Sequence, residues 1–279
     1  MAFRSIAQAN VAGGSASTNP GLPTGSVAGD TLIAYYTSDG TGGGNLLPTG
    51  FTLGSNDNVT NGDAQTLGWG WKVAVGSDAT TFANTGASAF GCFIAAYSGR
   101  VTVSPVETSS VNNPNLVTPP SSPVTVTGTG VTTANVDDIV FLASVDTNGL
   151  NGTWSPGGSL NTRGTIPAAS SFSAAAFYDF TQSSSGATGN QTATWTQSGA
   201  FGNITGYVVA LKPAGGGATF PPVPGSPNVM PGFQQHNALM VNKGKRNARV
   251  WMGGNCYRGY RAHVLTTPRL TNQRIQLIN

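Results

Sequence analysis

The sequence predicts an all-β protein: a repeated antiparallel β-sandwich or jelly-roll body, a Gly/Pro-rich linker and a small basic C-terminal β segment. Three observations carry this reading. Only 8% of the residues are charged, and a single Glu, Glu107, accompanies nine Asp, whereas exposed helix faces draw on Glu, Lys, Arg and Gln. Thr, Ser, Asn and Gly stand in their place, residues that suit strands, turns and caps. Gly (39) and Pro (17) make up about a fifth of the 279 residues, short of the roughly 25–30% that marks a disordered chain and suited to many strands joined by turns.

Along residues 1–213 the strand-like segments come in two series with the same order. Gly29-Asp30-Thr31-Leu32-Ile33-Ala34-Tyr35-Tyr36 is echoed by Asp137-Asp138-Ile139-Val140-Phe141-Leu142-Ala143-Ser144. The turn entering a strand at Leu47-Pro48-Thr49-Gly50-Phe51 matches Trp154-Ser155-Pro156-Gly157-Gly158-Ser159-Leu160. Residues 66–74 parallel 172–180, Thr80-Thr81-Phe82 parallels 192–195, and 93–99 parallels 207–213. Residues 1–100 and 101–213 are therefore read as two sandwich repeats, forming either two sandwiches or two halves of one. The apolar stretch Phe90-Gly91-Cys92-Phe93-Ile94-Ala95-Ala96-Tyr97 has the length of a strand, far below the roughly 20 residues of a membrane span. With no signal-peptide pattern at its start, the chain reads as a soluble protein. Cys92 sits in that strand as a small hydrophobe, and the one bridge the cysteine count allows is Cys92–Cys256.

Composition then shifts. Pro213-Ala214-Gly215-Gly216-Gly217-Ala218 and the polyproline-like run at 220–227 mark a linker over 214–235. Beyond it, 248–253, 257–265 and 274–278 read as short strands in a basic segment over 236–279. Charge follows the same division. Residues 1–212 carry five basic groups (Arg4, Lys72, Arg100, Arg163, Lys212) against ten acids, a net −5, while 213–279 carry eight basic groups and no acidic side chain, a net +8. A basic segment of this kind is attracted to an anionic protein surface, nucleic acid or lipid headgroups.

Catalytic chemistry finds little support. The carboxylates stand in turn contexts such as Asn56-Asp57-Asn58, Asn61-Gly62-Asp63, Gly76-Ser77-Asp78 and Val145-Asp146-Thr147-Asn148, which Asx turns explain more simply than a glycosidase pair. Asp137 and Asp138 alternate across a strand, which disfavours a shared cation. The only histidines, His236 and His263, lie in the tail, so the body holds no Ser-His-Asp triad. His236, Cys256 and His263 are irregularly spaced and lack a fourth zinc ligand. Gly40-Thr41-Gly42-Gly43-Gly44 lacks the Lys-Ser/Thr of a phosphate loop. No enzyme, metal or cofactor is expected, and the sandwich core is expected to claim Trp69 and Trp154 ahead of sugar stacking.

The tail interleaves cations with aromatics: Lys243, Lys245, Arg246, Arg249, Trp251, Tyr257, Arg258, Tyr260, Arg261, Arg269 and Arg274. Such a mixture suits single-stranded nucleic acid and, better given the acidic body, a protein interface anchored by Arg, Tyr and Trp. Each half of the body resembles a pattern of bacteriophage structural proteins and related prophage-encoded proteins. The matching residues are Gly29-Asp30, Pro48-Thr49-Gly50-Phe51-Thr52, Trp71-Lys72-Val73-Ala74, Ala96-Tyr97-Ser98-Gly99 and Ala210-Leu211-Lys212-Pro213. The resemblance implies a virion component assembled in the host cytoplasm and carries no catalytic residue across. The expectation is a non-enzymatic capsid decoration or head-fibre protein. Its tail docks on other virion proteins as part of a homo-oligomer such as a trimer, with no membrane partner. The alternative is a tail-fibre, receptor-binding protein recognising host glycan.

Overall fold

The computed structural model describes residues 2–12, 17–40, 44–59, 65–83, 89–113, 121–136, 138–147, 150–167, 173–199, 202–214, 240–241, 249–252 and 255–258. Among these residues every regular element is a strand, as the composition predicts. The chain divides into two compact units, Met1–Gly216 and Gly217–Asn279.

The first half of the larger unit runs through β1 (Ala2–Ala12), β2 (Ser17–Thr18), β3 (Thr31–Asp39), β4 (Thr52–Val59), β5 (Gln65–Val73), β6 (Phe82–Ala83) and β7 (Ala89–Ser98). The second half contains β8 (Val106–Asn112), β9 (Val124–Gly128), β10 (Thr132–Thr133), β11 (Asp138–Asp146), β12 (Gly152–Pro156), β13 (Asn161–Ile166), β14 (Ser173–Thr181), β15 (Gly186–Ala187), β16 (Gln191–Gln197) and β17 (Ile204–Leu211). Each half builds one antiparallel five-stranded sheet, ordered β1-β7-β3-β5-β4 in the first and β8-β17-β11-β14-β13 in the second. The connectivity of these two sheets is the same. Thr31 pairs with Val73 and Tyr97 just as Asp138 pairs with Thr181 and Leu211. On this pairing Thr31 takes the place of Asp138, one residue off the sequence match of 29–36 with 137–144; Tyr97 then takes the place of Leu211, and Val73 that of Thr181, two residues further along than the match of 66–74 with 172–180.

The two repeats read from the sequence, 1–100 and 101–213, lie within one compact unit. The physical reason is a shared core: Ile33, Tyr35, Leu67, Trp69, Phe93, Ala95 and Tyr97 of the first sheet pack against Val140, Leu142, Ala175, Phe177, Tyr207, Val209 and Leu211 of the second. The opposite parity of the same strands is buried too. Leu32, Ala34, Tyr36, Phe90, Cys92 and Ile94 pack under Leu46, Leu47, Phe51 and Phe82. On the other side Ile139, Phe141, Ala143, Ala176, Tyr178 and Val208 pack under Val126, Ala193 and Trp195 of the three-stranded sheet β12-β16-β9. The two large sheets are thus the inner layers of a stack and are covered on both faces. This explains why β3 and β11 read as continuous apolar runs without the alternation of a half-solvated strand.

Local backbone chemistry serves these layers. In the turn Pro48-Thr49-Gly50-Phe51 the Phe51 amide donates to the Pro48 carbonyl at 3.2 Å, and Gly50 takes φ 87°, which a side chain would resist. Between β17 and β9, a Cβ on Gly206 would stand 2.7 Å from the Thr127 carbonyl oxygen, so the two layers approach at backbone distance there.

The ion pairs of the body gather at one end. Arg4–Asp30, Lys72–Asp78, Arg100–Asp138 and Arg163–Asp179 all lie where β3 and β11 begin and β7 and β17 end. The chain leaves the body at this same pole, where the Ala214 amide donates to Gly99 at 2.7 Å and Arg100 bridges to Pro213. At the opposite pole Gln65 donates to Thr37 at 2.9 Å and to Ser173 at 2.8 Å across the two sheets, and the buried Asp146 stands opposite Ser173.

The smaller unit contains β18 (Met240–Val241), β19 (Arg249–Met252) and β20 (Asn255–Arg258) in one antiparallel sheet ordered β18-β19-β20. Its third strand is thus Met240–Val241. The expected strand at 274–278 lies outside the described residues, as do 259–265 and the linker from 215 to 235.

Candidate functional site

Six of the body's carboxylates have side-chain partners within it. Arg4 Nε contacts Asp30 at 2.8 Å, Arg163 Nε contacts Asp179 at 2.8 Å, and Lys72 Nζ contacts Asp78 at 2.7 Å. Arg100, whose side chain is 0% exposed, pairs with Asp138 and donates through Nη1 to the Leu211 carbonyl at 3.1 Å. Four of the five body cations are therefore consumed within it. Two tyrosines tie the halves reciprocally: the Tyr97 hydroxyl donates to Asp179 at 3.0 Å, and the Tyr207 hydroxyl donates to Asp57 at 2.8 Å. Asp57 also accepts from Ser55 at 2.6 Å, and Glu107 accepts from Asn135 at 2.8 Å.

Asp78 accepts from the Val75 and Gly76 amides at 3.0 and 3.1 Å, the Asx-type turn its sequence context predicts. Burial alone would raise its carboxyl, but the Lys72 ammonium and the two amides together hold it below the usual carboxylate range. Burial drives the largest shifts. It pushes the hydroxyls of Tyr35, Tyr97, Tyr178 and Tyr207 well above their ordinary value, with the Asp179 charge adding to it at Tyr97 and that of Asp57 at Tyr207. Tyr36 is pushed up to about 12 for the same reason. The Cys92 thiol is free, buried and likewise raised.

These shifts belong to sealed interior groups rather than to residues poised around a cleft. Among the described residues no three His, Cys, Asp or Glu side chains gather as a metal site, and no helix is long and apolar enough to cross a membrane. Trp69 is 2% exposed within the shared core. Trp154 is partly buried and tilts against Trp195 with ring centroids 5.1 Å apart, so the outer core claims it.

Of the tail residues expected to dock a partner, the strands bring together Arg249, Trp251, Tyr257 and Arg258. Arg249 stands opposite Arg258, Val250 opposite Tyr257, and Trp251 between Met240 and Cys256. Lys243, Lys245, Arg246, Tyr260, Arg261, Arg269 and Arg274 lie outside the described residues, as do His236 and His263. Sequence reasoning missed Arg100 and the two cross-half tyrosines, whose partners lie far along the chain. The one signal pointing to Arg100 was a cation closing a strongly apolar strand in a body with few cations.

No family model, curated protein or solved structure matches this chain.

Proposed function

We propose that the protein is a non-enzymatic structural component of a virion, a capsid decoration or head-fibre protein. Its Met1–Gly216 unit is displayed, and its Gly217–Asn279 unit docks on another virion protein. One observation carries the reading: the division into two compact units coincides with the division of charge, a body at −5 and a tail unit at +8 without an acidic side chain. A body with four of its five cations spent in internal ion pairs supplies rigidity, and a basic, Arg- and Trp-bearing unit supplies attachment. The place where the chain leaves the body supports display. The chain leaves at the ion-paired pole, and the opposite pole faces away from that exit. Several copies on one particle would multiply weak tail contacts into stable attachment.

The test is to purify particles from a producing lysate and locate a labelled body by electron microscopy. A regular array on the capsid is the expected result. Label at the tail tip moves the protein to host recognition, and no particle association removes the virion reading. In the same assay Arg249→Ala/Trp251→Ala/Arg261→Ala should detach the protein while the near-UV circular dichroism of the body is unchanged.

A further inference from the structure

The outer face of the three-stranded sheet β12-β16-β9 is a grid of hydroxyl groups. Positions in a strand alternate between the faces of a sheet. Trp154, Trp195, Ala193, Val124 and Val126 turn inward to the core. The alternate positions turn outward and lie in rows set by the register: Thr153 opposite Thr196, Thr194 between Ser155 and Thr125, and Thr192 opposite Thr127. Thr125, Thr153, Ser155 and Thr196 are exposed, and Thr127, Thr192 and Thr194 are half-buried. Among the described residues none of these hydroxyls is taken up by a hydrogen bond within the protein.

Strand propensity favours threonine, but it does not demand a hydroxyl at every outward position. The exposed strands β4 and β13 mix Leu53, Asp57 and Arg163 into theirs. The three strands of the grid carry no Asp, Glu, Lys, Arg or His. Both of their pairings run without a register shift, unlike β4–β5 and β13–β14. Beyond Ser155 the backbone itself makes room, since a Cβ on Gly157 would collide with the Thr192 hydroxyl. The result is a regular, uncharged array of hydroxyls and methyls with about 4.8 Å between strands and about 6.7 Å between successive outward residues.

We propose that this face binds ice. Its two spacings are close to those of the oxygen atoms on the prism faces of the ice lattice. The hydroxyls anchor lattice waters, and the methyls between them order the waters that lie over apolar groups. An uncharged face suits an uncharged lattice, and a charged side chain would hold its own shell of disordered water. A polysaccharide surface would be met by exposed aromatic rings, and here both tryptophans of the sheet turn inward. Strand twist of about 20–25° limits such a match to a patch of about this width. The proposal concerns the body alone and stands apart from the virion reading.

The experiment uses the full chain. Fluorescently labelled protein is offered to a slowly growing ice hemisphere, and ice recrystallisation is followed by microscopy. The wild type should be taken up into the ice and should arrest recrystallisation. Thr194→Lys, at the centre of the grid, and Thr125→Lys, at its exposed edge, should each lose both effects, because a strongly hydrated ammonium does not fit the lattice. The near-UV circular dichroism of the Trp154–Trp195 pair should stay unchanged in both. Should Thr194→Lys fail to fold, Thr125→Lys decides. Thr52→Lys places the same charge on the exposed start of β4 and should keep both effects. Exclusion of the wild type from ice, or an equal loss in the Thr52 variant, overturns the proposal. Exclusion from ice with retention on powdered cellulose or chitin overturns it in favour of a polysaccharide. Exclusion from ice with a dimer that Thr125→Lys converts to monomer overturns it in favour of contact between copies.

Discussion

Raising the pH above 10 should unfold the body in one cooperative step, because its tyrosines are sealed in their neutral form. Tyr35, Tyr97 and Tyr207 lie in the core shared by the two five-stranded sheets, and burial raises the pKa of each well above the ordinary value of 10.0. A group whose folded pKa is raised contributes stability that is intact below the unfolded pKa and is lost as pH climbs from there towards the folded value. At pH 11 the unfolded chain gains about 1.4 kcal/mol from each tyrosine that the folded chain keeps protonated, or about 4 kcal/mol for these three. Tyr36 and Tyr178, on the outer faces of the same sheets, add to that loss. Against a typical domain stability of about 5–15 kcal/mol the sum is enough to bring the transition close to pH 11. The assay follows phenolate absorbance and near-UV circular dichroism in one alkaline titration. The phenolate signal of these five tyrosines should rise with the loss of near-UV signal. Their smooth ionisation near pH 10 while the aromatic signal of Trp69 and Trp195 persists would refute the argument.

Arg100→Leu should destabilise the body by about 3–5 kcal/mol, because it strands the buried Asp138 carboxylate, and adding Asp138→Leu should recover much of the loss in chemical denaturation. If the double variant is no more stable than the single one, the pair is not the source of the cost. Gly206→Ala should cost about 1–3 kcal/mol, since the new methyl meets the Thr127 carbonyl and the Gly128 amide nitrogen, which cannot rotate away. A thermal midpoint equal to that of the wild type would show that the layers have slack at this point. In a Cys256→Ser background the remaining thiol, Cys92, should resist alkylation until denaturant is added, and rapid labelling of the native protein would contradict its sealed position under Phe82 and Phe90.

The expected all-β class and the positions of the main strands were legible because composition and short apolar runs between Gly, Pro and Asn are local properties of the chain. The same holds for the division of charge. Asp78 was readable as a turn residue because the amides it accepts from, those of Val75 and Gly76, lie only two or three residues away. Arg100, Tyr97 and Tyr207 were not readable as they stand, since their partners come from the other half of the body. The runs Leu32 to Tyr36 and Ile139 to Ala143 already imply burial on both faces, as neither parity of the strand is polar. What covers each face was decided only when the two halves packed sheet to sheet, because apolar burial is non-directional and names no partner. Likewise eight cations without an acid were plain in the tail sequence, while the meeting of Arg249 with Arg258 depended on strand register, which pairs residues by hydrogen bonding rather than by their order in the chain.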